Sequence, residues 1–161
     1  MESTTTFLSF AGKKAVFFLL LVLVLNSLSY FLLPEVIVEA TKMLKVTDQR
    51  YGWEGVVGLI VITGPFLETL FMQVLPIELG RLPFKNQTLG YWIGGVLSTA
   101  IFGGMHYYNP GYIFIAACMG AFLAWTYIDT QRQFDGWRAA FLVLALHMAN
   151  NLGGVLLWYA F

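Results

Sequence analysis

The chain has 161 residues, 58% of them hydrophobic and only 11% charged, with nine basic and nine acidic side chains for a formal net charge of zero. A soluble domain carries about 25% charged residues, so this composition marks an integral, multi-pass membrane protein. The balanced charge, with no basic run to follow a phosphate backbone, argues against nucleic acid as a partner and leaves the lipid bilayer and what it dissolves.

A helix crosses a hydrocarbon core of about 30 Å with roughly 20 apolar residues at 1.5 Å each, and five stretches of the chain qualify. The first covers residues 15–33, behind Lys13 and Lys14 and ending at Pro34, which a continuing helix would not accommodate. Ser27 and Ser29 have the spacing of a signal-peptide cleavage site, but Tyr30, Phe31, Leu32 and Leu33 extend the apolar run to full span length, so a retained helix is expected. Residues 35–54 carry Lys42, Lys45, Asp48 and Arg50 and are expected in water, with an interfacial amphipathic turn or two. The second span covers residues 55–79, with Thr63, Gly64 and Pro65 near its centre, where neighbours must make good the backbone bond that proline removes. The third, fourth and fifth cover residues 89–107, 112–128 and 137–159. The expected fold is therefore all-α, a polytopic bundle of about five transmembrane helices in a single domain, residues 1–161.

Five spans place the N-terminus, the Arg81/Lys85 connection and the Arg132/Arg138 connection on one side of the membrane with six of the nine basic residues, and the positive-inside bias makes that side cytoplasmic. Tyr107, Tyr108, Trp137, Trp158 and Tyr159 read as interfacial aromatic anchors. The pairs Gly94-Gly95, Gly103-Gly104 and Gly153-Gly154 read as points of close helix approach, and the lone Cys118 as a packed thiol.

Titratable groups within a bilayer cost about 2.5 kcal/mol or more and persist mainly where they face a protein interior or a wet cavity. Glu68, His106 and His147 are therefore the candidate site, although a single membrane histidine also serves often as an interhelical hydrogen-bond partner. His147 and Asn151 stand at i and i+4, on one helix face. Phe102 and His106 share that spacing, as do Thr69 and Gln73 beside Glu68. A carboxylate next to an imidazole in a low-dielectric site makes a general base for water, and Asn151 is placed to donate to an oxyanion. Alternatively, Glu68, His106 and His147 hold one divalent metal ion, zinc by donor type, with an open position for water. No serine lies in a histidine-paired motif and Cys118 has no imidazole within a helical turn, so a covalent nucleophile is not expected.

Glu68-Thr69-Leu70-Phe71-Met72-Gln73, Phe102-Gly103-Gly104-Met105-His106 and His147-Met148-Ala149-Asn150-Asn151 follow one another in an order that resembles the CPBP intramembrane proteases, a family that includes the CAAX prenyl endopeptidases and bacterial proteins linked to bacteriocin immunity. Its pattern is EExxxR, then FxxxH, then HxxxN on the last core helix. The second and third motifs match at every specified position, and the family-like core runs over about residues 55–160. The resemblance implies an intramembrane endopeptidase acting on a membrane-associated peptide or protein. Glu68 and His106 would activate water and His147 with Asn151 would bind the oxyanion, the metal being either absent or a single ion.

The first motif departs from the family at Thr69, in place of the second glutamate, and at Gln73, in place of the arginine. If the family pair is a structural tie one turn apart, Thr69 and Gln73 are a neutral replacement that avoids burying two charges, and the enzyme is active. If the second carboxylate shares the proton work, the chain is a silent relative that binds a membrane peptide or lipid as an immunity or adaptor protein. A small Glu/His proton-coupled carrier uses the same residue types. Counting residues from the cytoplasmic ends leaves a tension: Glu68 and His147 fall near mid-membrane, and His106 nearer the opposite surface.

Overall fold

A computed structural model describes residues 2–32, 34–107 and 109–160, so that Leu33 and Tyr108, assigned above to the first span and to the aromatic belt, lie outside the described residues. The elements run α1 (Glu2–Leu32), α2 (Pro34–Val56), a π-helical stretch π1 (Val57–Thr63), α3 (Gly64–Glu68), a second π-helical stretch π2 (Thr69–Val74), α4 (Leu75–Arg81), α5 (Gln87–Met105), α6 (Pro110–Gln133) and α7 (Gly136–Ala160). Among the described residues there is no strand. Among the described residues four stretches are long and apolar enough to cross a membrane: Thr6–Phe31, Thr41–Arg81, Pro110–Gln133 and Gly136–Ala160. α5 adds a fifth helix of 19 residues, about 28 Å at 1.5 Å per residue, whose glycines, serine and threonines dilute its apolar character. The protein is an all-helical integral membrane bundle.

Asparagine and aspartate start the later helices. Asn86 Oδ1 accepts from Thr88 N at 3.0 Å and Leu89 N at 3.2 Å, Asn109 Oδ1 from Tyr112 N at 2.7 Å, and Asp135 Oδ1 from Arg138 N at 2.8 Å. Each accepts from amides that have no intrahelical partner, which pins the connections between α4, α5, α6 and α7.

Two sequence expectations change. Residues 35–51 form an unbroken helical run, the first part of α2, rather than a turn or two, because no glycine or proline interrupts them; Gly52, with φ of 67°, then kinks the chain. Tyr159 Oη donates to Asp48 Oδ1 and stacks edge-on against Trp53 with ring centres 4.8 Å apart, tying α2 to the end of α7. Lys14, expected to flank the first span, is enclosed at 5% exposure, because α1 begins at Glu2 and residues 6–12 are apolar enough to carry the helix past it. Its ammonium stands 2.6 Å from Asp129 Oδ2 and 3.1 Å from the centre of the Trp125 ring.

α4 and α5 approach through glycine. A Cβ on Gly94 would fall 2.7 Å from Ile77 Cα, and one on Gly80 2.6 Å from Gly94 Cα, so the backbones touch. Gly103 packs in the same way on Ala117 of α6, where a Cβ would lie 2.9 Å from the alanine methyl. The Gly153-Gly154 pair does not fit this reading: a Cβ at either position meets nothing within 4 Å, and Gly104 is equally open. Those residues face outward on helices whose contacts are made by other faces.

The prolines explain the π-helical stretches. Gly64 N bonds Leu59 O, five residues back, and in that register the next amide would serve Ile60 O. Residue 65 is proline and has no N–H. Asn151 Nδ2 fills the vacancy, donating to Ile60 O at 2.9 Å from α7. Pro76 follows π2, where Leu75 N bonds Leu70 O, and Ser98 Oγ of α5 comes against this widened turn, 2.8 Å from Met72 O and 2.7 Å from Gln73 Oε1, sharing its one hydrogen between them.

Candidate active site

Glu68 closes α3 between the two widened stretches, His106 ends α5, and His147 lies midway along α7. These three distant positions converge. Glu68 Oε2 stands 3.4 Å from His147 Nε2 and 3.9 Å from His106 Nε2. Both of the chain's histidines therefore turn the same ring nitrogen toward one carboxylate oxygen. The His147 side chain is 6% exposed, whereas Glu68 keeps 27% and His106 18%, so the carboxylate is reachable from outside the bundle.

Each imidazole is held from behind. His106 Nδ1 donates to Phe102 O at 2.6 Å, one turn back in its own helix. His147 Nδ1 lies 3.3 Å from Thr69 Oγ1, the residue after Glu68. The Phe102 ring stands 4.8 Å from the His106 ring and 5.4 Å from that of His147, centre to centre, and forms an aromatic wall shared by both. It is buried, and Gly120 lets the α6 backbone come against it.

The depth tension resolves in the antiparallel register of α5 on its neighbours. Gly90 packs on Arg81, Gly94 on Ile77, and Ser98 bonds Gln73, so four residues along one strand of backbone match four along the other, and Phe102 comes level with Thr69. α5 therefore starts one turn outside the level where α4 ends. Side chains on a helix lean toward its N-terminus, and the His106 ring folds back a full turn onto Phe102 O, to the level of Glu68.

Thr69 and Gln73 are not tied to one another as a one-turn pair. Thr69 reaches α7 through His147, and Gln73 reaches α5, its Oε1 2.7 Å from Ser98 Oγ. Gln73 is fully enclosed, at 0% exposure. His147 and Asn151 share a face, but Asn151 spends one amide proton on Ile60 O and accepts from Asn150 Nδ2 at 3.2 Å. Ser98 was not legible as part of this region; the nearest signal for it is Pro76, which marks a widened turn whose carbonyls a neighbouring helix can reach. Tyr112, its ring centre 5.6 Å from that of His106, is a second neighbour the spacing did not indicate.

Two imidazoles and a carboxylate are the donor types of a catalytic zinc site. Their Nε2 atoms stand 3.4 and 3.9 Å from Glu68 Oε2, and among the described residues no group of three His, Cys, Asp or Glu is already gathered as ligands around one point. Both imidazoles address one carboxylate oxygen, an arrangement suited to sharing protons.

No curated protein and no solved structure matches the chain. The sequence model of the type II CAAX prenyl endopeptidase Rce1-like family matches residues 51–153, well over half of the chain, a range that includes Glu68, His106, His147 and Asn151. The chain belongs to the Rce1-like type II CAAX prenyl endopeptidase family.

Proposed function

We propose that the protein is an intramembrane endopeptidase that hydrolyses a peptide bond of a membrane-associated peptide or protein, with water as the nucleophile. The observation that carries this reading is the convergence of both Nε2 atoms on Glu68 Oε2, at 3.4 and 3.9 Å, from three separate helical elements. Glu68, assisted by His106, takes a proton from a water at the exposed edge of the site as its oxygen attacks the scissile carbonyl. The oxyanion that forms is met by His147 Nε2–H and by the second amide proton of Asn151, whose first is held by Ile60 O. The proton gained by Glu68 then passes to the leaving amine. Phe102 excludes water behind the two rings, which strengthens these charge interactions.

Thr69 supports an active site in this reading, since its hydroxyl has a buried polar partner in His147, while Gln73 lies with its Oε1 against Ser98. Proteoliposomes with a quenched fluorescent peptide, with and without a prenyl group, test the proposal. Glu68→Gln should keep the helical fold and lose at least about a hundredfold in turnover, the low end of what a general base contributes. Full turnover in that variant overturns the assignment. Because the donor arrangement suits proton sharing, turnover should also survive dialysis against a chelator; loss on chelation and return with zinc would transfer the chemistry to a metal.

A further inference from the structure

The two histidines are held by chemically different groups. The partner of His106 Nδ1 is the carbonyl of Phe102, at 2.6 Å. A carbonyl only accepts, so Nδ1 carries the hydrogen, and in the neutral ring Nε2 is bare. The partner of His147 Nδ1 is the hydroxyl of Thr69, at 3.3 Å, which can donate or accept. The hydroxyl therefore leaves the tautomer of His147 to be decided by what its other nitrogen faces.

That nitrogen faces Glu68 Oε2 at 3.4 Å, with the bare Nε2 of His106 on the same oxygen at 3.9 Å. A second bare nitrogen there would gather two nitrogen lone pairs and a carboxylate oxygen around one point in a low-dielectric setting, a costly arrangement. A hydrogen on His147 Nε2 relieves it. Nδ1 of His147 is then an acceptor, and Thr69 supplies the hydrogen bond to it. Thr69 is buried, at 4% exposure, so no bulk water substitutes for it.

We propose that Thr69 donates to His147 Nδ1 and thereby holds His147 as the Nε2–H tautomer, opposite to the Nδ1–H tautomer that Phe102 O imposes on His106. Thr69 is a positioning residue: it touches no reacting atom and acts through the ring behind which it sits. The opposite tautomers divide the labour between two identical side chains. His106 presents a lone pair and receives protons; His147 presents an N–H and donates to an oxyanion. A carboxylate at position 69 could not do this, because an ionised carboxylate only accepts and would draw the hydrogen of His147 to Nδ1 or leave the ring charged. The departure of this chain from the EExxxR pattern is thus tied to the proton state of its second histidine. The division of labour rests on the endopeptidase reading, whereas the tautomers themselves do not.

With two histidines in the chain, the protein uniformly labelled with 15N-histidine in detergent micelles gives two ring spin systems, assigned with a His106→Gln variant. The expected neutral-pH spectrum has one ring protonated at Nδ1, from His106, and one protonated at Nε2, from His147. Thr69→Val, nearly the same shape, should move His147 Nδ1 to the position of an unbonded acceptor nitrogen and lower kcat about tenfold with little change in KM, as the loss of one hydrogen bond implies. Thr69→Ser should restore both. Identical tautomers for the two histidines, or an unmoved His147 Nδ1 in Thr69→Val, would overturn the proposal. Opposite tautomers in a protein without proteolysis would uphold it and dismiss the endopeptidase reading instead.

Discussion

Glu68, Thr69 and Asn151 show how little sequence separation says about what a side chain does. Thr69 follows Glu68 directly yet turns to the opposite side of His147, and Asn151, predicted as a donor to substrate, is also the donor to a helix 91 residues away. The second role follows from Pro65, because the carbonyl of Ile60 would otherwise be buried in a membrane without a hydrogen. Asn151→Leu should therefore lower stability by about 1 kcal/mol, the usual scale of an interhelical hydrogen bond in a bilayer. In a Pro65→Ala background, where residue 65 regains its N–H, the same substitution should cost less; a double-mutant cycle by thermal unfolding in detergent measures the difference. Equal costs in both backgrounds would show that Asn151 does not serve the proline vacancy.

Among the elements, α5 sets the geometry of the site, because its register on α4 and π2 brings His106 level with Glu68. That register depends on backbone contact at Gly94, where a Cβ would lie 2.7 Å from Ile77 Cα. Gly94→Ala should push the helices apart, costing about 1–3 kcal/mol as overpacking does, and should reduce turnover as His106 moves away from Glu68. Gly153→Ala places its methyl in open space and should be neutral or stabilising by about 0.5–1 kcal/mol through helix propensity. Thermal midpoints and turnover of the two variants compare them directly. The motif spacings Phe102/His106 and His147/Asn151 were readable because helical periodicity is local. The register was not, since it depends on which glycine meets which backbone on another helix.

Across the whole molecule, polar clamps hold one end of the bundle together. Glu78 accepts from Tyr127 at 3.0 Å and from Gln131 at 2.8 Å while pairing with Arg81 at 2.7 Å, and Arg81 in turn donates to Tyr91 at 2.8 Å, joining α4, α5 and α6. Lys14 with Asp129 and Phe7 against Phe134 fasten α1 to the same end. This is the end that gathers six of the nine basic residues, Lys13, Lys14, Arg81, Lys85, Arg132 and Arg138. We propose, from the positive-inside bias, that this end faces the cytoplasm. In a Cys118→Ser background, Lys85→Cys should be shielded in intact cells from a membrane-impermeant thiol reagent and Lys45→Cys labelled; the reverse pattern would invert the orientation. Trp137, 80% exposed at the start of α7, and Trp158 near its end are about 30 Å apart at 1.5 Å per residue, the separation expected of two interfacial girdles.

The amino-acid sequence by itself determined the solvent, the class of fold and the order of the motifs. Apolar runs of span length form helices in lipid, since lipid offers a backbone group no partner and a helix satisfies nearly all of its own. It also singled out Glu68, His106 and His147, because ionisable groups are costly in a membrane and few in this chain. Tertiary structure alone decided that the three meet at one carboxylate oxygen, that Thr69 stands behind His147, and that Asn151 and Ser98 serve the carbonyls near Pro65 and Pro76. Those outcomes depend on the relative height and rotation of packed helices, set by glycine contacts and proline-induced widening, and helical periodicity within one segment carries no record of either.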